Sequence, residues 1–211
     1  YNFALNGGAV YTKNSTVTIQ KTNLFYNHAK DDSGSTSQYW FGGGAVFIDG
    51  GNATIKESYF FLNRTWDYGG AIHLGGVDKA VVDENRIISS AAYNHRLAES
   101  GTRGGDGGAI YSRISKEIKM IGNTITNGHT MGNGAGIDVL GDTGSCITLN
   151  NNIISQNNAG GRGGGVKLTL SKDSVVSLGS GIISDNTAGS FGGGIDYSTH
   201  DMPALELQNV L

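Results

Sequence analysis

The stretch Gly7–Asn27, GGAVYTKNSTVTIQKTNLFYN, is rewritten at Gly43–Asn63 as GGAVFIDGGNATIKESYFFLN. Each copy runs glycines, a small residue, an aliphatic residue, an aromatic residue, a short turn and then an alternating segment. The glycine phrase returns at Gly69, Gly107, Gly134, Gly163 and Gly192, so that successive starts lie 36, 26, 38, 27, 29 and 29 residues apart. Self-similarity at this period marks a solenoid built of stacked units, none of which buries its apolar face alone.

Within one unit, GAVYT, STVTIQ and NLFYN alternate with period 2 and are rich in Val, Ile, Thr, Tyr and Phe, which predicts three short strands. No segment carries a 3.6-residue apolar stripe between helix caps. Three strands in under thirty residues describe one coil of a right-handed parallel β-helix, with about six coils stacked at about 4.8 Å. The paired glycines suit a sharp corner at positive φ. A second landmark, Asn27, Asn63, Asn157 and Asn186, suits another corner, where Asn tolerates the left-handed region and its amide can bond the next coil. Ala91 and Gly128 are read as the matching positions in the other two coils.

Composition bounds the class. The chain has 211 residues with 35 Gly, one Pro and a net charge of -3. Glycine without a Gly-X-Y period excludes collagen, and the absence of a basic stripe argues against a nucleic-acid partner. No run reaches the length of a membrane span. The single cysteine, Cys146, supports no internal disulfide or thiolate metal cluster, and neither a metal nor a cofactor is expected.

The GGA[VI] phrase followed by an FxxN segment resembles the repeats of polymorphic outer-membrane proteins. Gly43-Gly44-Ala45-Val46 with Phe60-Phe61-Leu62-Asn63 is the nearest match here, while Ile154 and Ile183 replace the Phe in later coils. The resemblance implies a right-handed parallel β-helix outside the cell or on its surface, and it carries no catalytic residue. FALN (Phe3–Asn6) reads as the close of a third strand, and the final ALELQNVL as a second strand entering a third. The expectation is one continuous domain over 1–211. It is either a piece of a longer solenoid or a subunit whose open coil ends stack head to tail into a fibre.

Function on such a scaffold is sought where the repeat is broken. The path from the Asn position to the next glycine phrase takes 6 residues in four coils and 16 in the first and third. The two insertions, His28–Gly42 and Ala92–Asp106, fall at one corner two coils apart, about 10 Å. Neutral insertion at a permissive corner is the plain alternative. Both tryptophans, Trp40 and Trp66, sit there with Tyr39, Phe41 and Tyr68. If Val10, Val46, Ile72, Ile110, Ile137, Val166 and Ile195 point inward, the next residues form an outward column: Tyr11, Phe47, His73, Tyr111, Asp138, Lys167 and Asp196. Exposed aromatics there would stack on a glycan or anchor a protein partner. The competing account is lateral stacking that merely steadies neighbouring coils, with Asp138, Lys167 and Asp196 as a surface charge ladder.

The candidate binding residues are therefore Tyr39, Trp40, Phe47, Trp66, Tyr68, His73, Tyr111, His95, Arg96 and Arg103. His95, Arg96 and Arg103 on the second insertion would face an acidic ligand, and His73 would strengthen its hold below its pKa. No catalytic residue is assigned, although a polysaccharide-active enzyme is the competing class. Asp49, His73, Arg113, Asp138, Lys167 and Asp196 lie on or beside the outward face, but Asp138 and Asp196 with Lys167 between them suit a salt ladder better than an acid–base pair. Three N-x-[ST] matches, at Asn14, Asn52 and Asn63, are as many as chance supplies, and Asn63 would be a poor acceptor if its amide is already bonded.

Overall fold

A computed structural model describes residues 1–30, 42–93, 105–199 and 204–210. Every regular element among them is a strand, and every strand pairing is parallel. The strands form three sheets that the chain visits in rotation, one rung per turn, which is a parallel β-helix. The first sheet holds the segments that open with the glycine phrase, from Val10–Gln20 to Ile195–Thr199. The second holds three-residue strands from Asn23–Phe25 to Ile182–Ser184. The third holds two-residue strands from Phe3–Ala4 to Thr187–Ala188.

Three details depart from the sequence reading. In the first four rungs the first two expected strands are one continuous strand: Val10–Gln20, Val46–Lys56, Ile72–Asp83 and Ile110–Ile121. The presumed turn is a bend inside the strand, at Asn14 (φ 49°) in the first rung and Gly50–Gly51 (φ 75° and 81°) in the second. Only from Ile137–Gly141 and Cys146–Asn150 onward does the strand divide. The third sheet was not expected at all, because two residues are too few to show a period. Finally, Phe3–Ala4 pairs with His28–Ala29 and so belongs to that third sheet instead of closing a second-sheet strand.

The inward column is as expected. Val46, Ile72, Ile110, Ile137 and Val166 are consecutive register partners and completely buried. A second column comes from the three-residue strands, where Phe60, Ile87, Ile125 and Ile154 stack beneath one another. Each such side chain contributes roughly 1.5–3 kcal/mol by leaving water, so the stack is what holds the turns together. The first glycine of the phrase turns the corner at positive φ, 68° at Gly107, with no room for a side chain: a Cβ there would lie 2.5 Å from the Ile110 carbonyl oxygen.

Two amide ladders close the other corners. Asn27 Nδ2 donates to Asn63 Oδ1 at 2.9 Å, and Asn157 Nδ2 to Asn186 Oδ1 at 2.9 Å. Asn63 also donates to the Leu24 carbonyl and is fully buried, which makes it the poor glycan acceptor expected. In the third rung the matching residue is Ser90, one position before Ala91, because Ala91 already lies in the two-residue strand. Gly128 holds the place assigned to it, its N–H donating to Asn157 Oδ1. The second ladder went unread: Asn85 donates to Asn123 and Asn123 to Asn152, at 3.1 and 3.0 Å, at the entry to the three-residue strands.

Candidate functional site

The column after the inward aliphatics is in the expected register. Tyr11, Phe47, His73, Tyr111, Asp138, Lys167 and Asp196 pair in sequence across seven rungs. It leaves the solenoid wall on the outer side, yet most of it is not exposed. Phe47, His73, Tyr111, Asp138 and Lys167 are all buried, and only Tyr11 stands open to solvent. The covering comes partly from Tyr68, the residue just before the third glycine phrase, which returns over the column. Tyr68 lies against Tyr111, with centroids 4.5 Å apart, and against His73 at 5.8 Å.

In the aromatic half the rings stack rung on rung. Tyr11 tilts against Phe47 at 5.5 Å, Phe47 lies flat on His73 at 4.2 Å and 18°, and His73 meets Tyr111 edge-on at 5.0 Å. Lateral stacking, the plainer of the two accounts, is thus present whatever else this face does. Burial pushes the His73 imidazole down to about 3, so it is neutral near pH 7. The expected strengthening of binding by its protonation in the ordinary histidine range is therefore corrected. Its Nδ1 is buried without a hydrogen-bond partner. Burial, and then the Asp138 carboxylate, raise the Tyr111 hydroxyl, so it stays protonated.

In the polar half the expected surface charge ladder is a buried cluster. Lys167 Nζ reaches Asp196 Oδ2 at 3.1 Å and donates to Thr169 Oγ1 and Ser198 Oγ at 2.9 and 3.0 Å. Asp138 Oδ1 is buried without a hydrogen bond, and so is Asp196 Oδ2, which faces the lysine as an ion pair only. Burial first, and then the Asp106 carboxylate, hold the Asp138 carboxyl well above the usual carboxylate range. The nearby Lys167 charge offsets this only in part. Asp106 is itself raised by burial, partly offset by the Asn133 backbone and side-chain N–H groups that donate to it at 2.6 and 3.1 Å. Sequence reasoning passed over Asp106, since it ends an insertion and pairs with Asp138 only through the fold. Among the described residues no three His, Cys, Asp or Glu side chains converge to hold a metal ion.

Beyond the stacked rings, the outer face of the first five rungs forms a groove of about 740 Å³. One wall is Tyr11, Phe47, His73 and Tyr111. The other carries the next outward position, where Lys13, Asp49, Gly75, Arg113 and Leu140 are register partners. Lys13 and Asp49 face each other at 3.7 Å, as do Arg113 and Asp142. Ser115 Oγ adds a bond to Asp142 at 3.4 Å. Between the two charged pairs the third rung has only Gly75 and Gly76.

Of the corner residues, Trp66 is half-buried with the Lys30 ammonium over its ring at 4.5 Å, and Tyr68 is half-buried beside the column. The two insertions spring from His28–Ala29 and Ala91–Ala92, separated in their sheet only by Arg64–Thr65, as the two-coil spacing predicts. Tyr39, Trp40, His95, Arg96 and Arg103 lie outside the described residues. Of the expected set, the structure brings together Phe47, Tyr68, His73 and Tyr111. Tyr11, Lys13, Asp49, Arg113, Ser115 and Asp142 are among the groove residues that the candidate set left out. For Lys13, Asp49 and Arg113 the signal was a charge two positions after the aromatic column.

No family model, no curated protein and no solved structure matches this chain. No described helix is long and apolar enough to cross a membrane.

Proposed function

We propose that this β-helix is a rigid binding scaffold of the adhesin kind, displayed at a cell surface or outside the cell, and that it holds an extended partner along its outer face. The groove of about 740 Å³ spanning the first five rungs is the observation that carries this reading. A stacked solenoid is stiff along its axis, and a groove crossing its rungs offers repeated contacts to a repeated ligand. Tyr11 supplies an exposed ring and the buried rings behind it line the groove, while the two exposed ion pairs supply hydrogen-bonding groups at little energetic cost to the fold. A surface pull-down comparing wild type with a Tyr11→Ala, Arg113→Ala double variant tests it. Loss of capture with an unchanged melting temperature is expected. Undiminished capture would place the partner elsewhere on the solenoid.

A polysaccharide-active enzyme is the second reading, favoured by one observation: two neighbouring carboxyls, Asp106 and Asp138, are both raised above their ordinary values. Such pairs mark acid–base sites as well as structural clusters. Asp138 is only 2% exposed, and a buried acid without access to a substrate does no chemistry. The scaffold reading is therefore preferred.

A further inference from the structure

Gly75 sits in the outer wall of the groove exactly where its register partners are Asp49 on one side and Arg113 on the other. No side chain fills that rung. A Cβ on Gly75 would stand 3.0 Å from Phe47 Cε2 and 3.4 Å from His73 Nε2, whereas a Cβ on Gly76 would meet nothing within 4 Å. The wall therefore has a notch at this one rung, between flanking residues two rung spacings apart, about 10 Å. Its back is formed by the edges of two buried rings, and it is flanked by a carboxylate and a guanidinium.

The charges around it are balanced. Lys13 is matched by Asp49 and Arg113 by Asp142, so the lining carries two cations and two anions, each facing its opposite. A polyanion entering the groove would gain two cations and meet two carboxylates at the same distance, and a polycation would meet the reverse. A neutral ligand with many hydroxyls has no such conflict. It can accept from Lys13 and Arg113, donate to Asp49 and Asp142, and lay an apolar ring face against the aromatic edges. From Tyr11 in the first rung to Asp142 in the fifth is about 19 Å, long enough for several such rings in line.

We infer that the groove takes a neutral glycan chain lying along the solenoid axis, and that the notch at Gly75–Gly76 seats one of its sugar rings. This rests on the groove being the binding face. The selectivity comes from the paired charges and the position of the bound ring from the missing side chains.

Affinity electrophoresis through gels containing laminarin, xyloglucan, mannan or dextran as neutral chains, polygalacturonate as an acidic chain and chitosan as a basic one tests it. Retardation by at least one neutral chain and by neither charged chain is expected. Gly75→Trp should weaken that retardation at least tenfold. Ser115→Trp fills the same groove without touching the glycine and should also weaken it if the first variant folds poorly. Thr126→Trp, on the three-residue sheet, should leave it unchanged. Preference for a charged chain, retardation by none of the six, or neutral-chain binding that survives both groove variants would overturn the inference. If all six chains are silent while the surface pull-down still depends on Tyr11 and Arg113, the groove reading stands and only the glycan assignment falls.

Discussion

His73 occupies the place where a side chain at Gly42 would begin: a Cβ built on Gly42 would lie 1.7 Å from His73 Nδ1. The two residues are on neighbouring rungs, and each explains the other. The glycine lets the imidazole lie flat on Phe47, and the imidazole fills what would otherwise be a void over the column. Gly42→Ala should therefore be strongly destabilising alone, by several kcal/mol, yet largely tolerated in a His73→Ala background. A double-mutant cycle on melting temperature checks this. Additive losses would mean that the ring does not hold that space.

The buried titratable groups predict opposite pH dependences in the aromatic and polar halves of the column. His73 binds its proton less readily in the fold, at about 3 against 6.5. Its contribution is intact above about pH 6.5 and is lost as the pH falls toward 3. The Asp106 and Asp138 carboxyls are raised in the fold. Their contribution is complete in acid, below the ordinary 3.8, and is lost as the pH rises through their folded values. Melting curves from pH 3 to pH 9 should show His73→Phe flattening the acid limb and Asp138→Asn raising stability on the neutral and alkaline limb. An Asp138→Asn variant that is destabilised at pH 8 would contradict the account of a carboxyl whose burial outweighs the Lys167 charge.

Asn123 is the middle of the unread ladder, donating to Asn152 and to the Val82 carbonyl and accepting from Asn85. It is fully buried. Asn123→Ala leaves those partners unsatisfied, at about 1–3 kcal/mol for each buried group. Denaturant unfolding should show a loss in that range, well above that of Asn52→Ala on the exposed bend. Equal losses would remove the ladder from the stability argument.

Gly107→Val adds a β-branched side chain at φ 68°. The left-handed backbone alone costs roughly 1–2 kcal/mol, and the Cβ also collides with the Ile110 carbonyl. Insoluble or unfolded protein is the expected result, read by circular dichroism of the purified chain. Native-like melting would mean that the corner can be rebuilt.

Catalysis offers a sharp contrast between the two functional readings. Incubation with uronic-acid polymers and neutral glycans, with and without calcium, should release no reducing or unsaturated ends. Turnover abolished by Asp138→Asn or Arg113→Ala would make the raised carboxyl pair a working site.

Much of this was legible because a solenoid writes its contacts at a fixed period. The glycine corners and the aliphatic column could be read directly, and with them the register that aligns Tyr11 with Phe47, His73 and Tyr111. Burial of that register was not legible. It depends in part on Tyr68 folding back over the column, and nothing in the alternation says how far a corner returns. Ser90 hid the third rung of the Asn corner because a hydroxyl stood where an amide was sought. The Asn85–Asn123–Asn152 ladder was visible as recurrent Asn, but it lay within segments already assigned to strands and turns. The groove was missed for a simpler reason. Its outer wall is interrupted by two glycines, and a missing side chain leaves no signal in a search for chemistry.

Tyr11 and Tyr26 are equally exposed, at 48% and 49%, but Tyr11 lines the groove and Tyr26 packs beside Phe61 at the three-residue sheet. Hydroxyl-radical footprinting of the free chain should therefore oxidise the two alike, each acting as the internal standard for the other. With the captured partner bound, oxidation of Tyr11 should fall several-fold while that of Tyr26 stays constant. Protection of Tyr26 with Tyr11 unchanged would contradict the outer groove as the binding face of this β-helix.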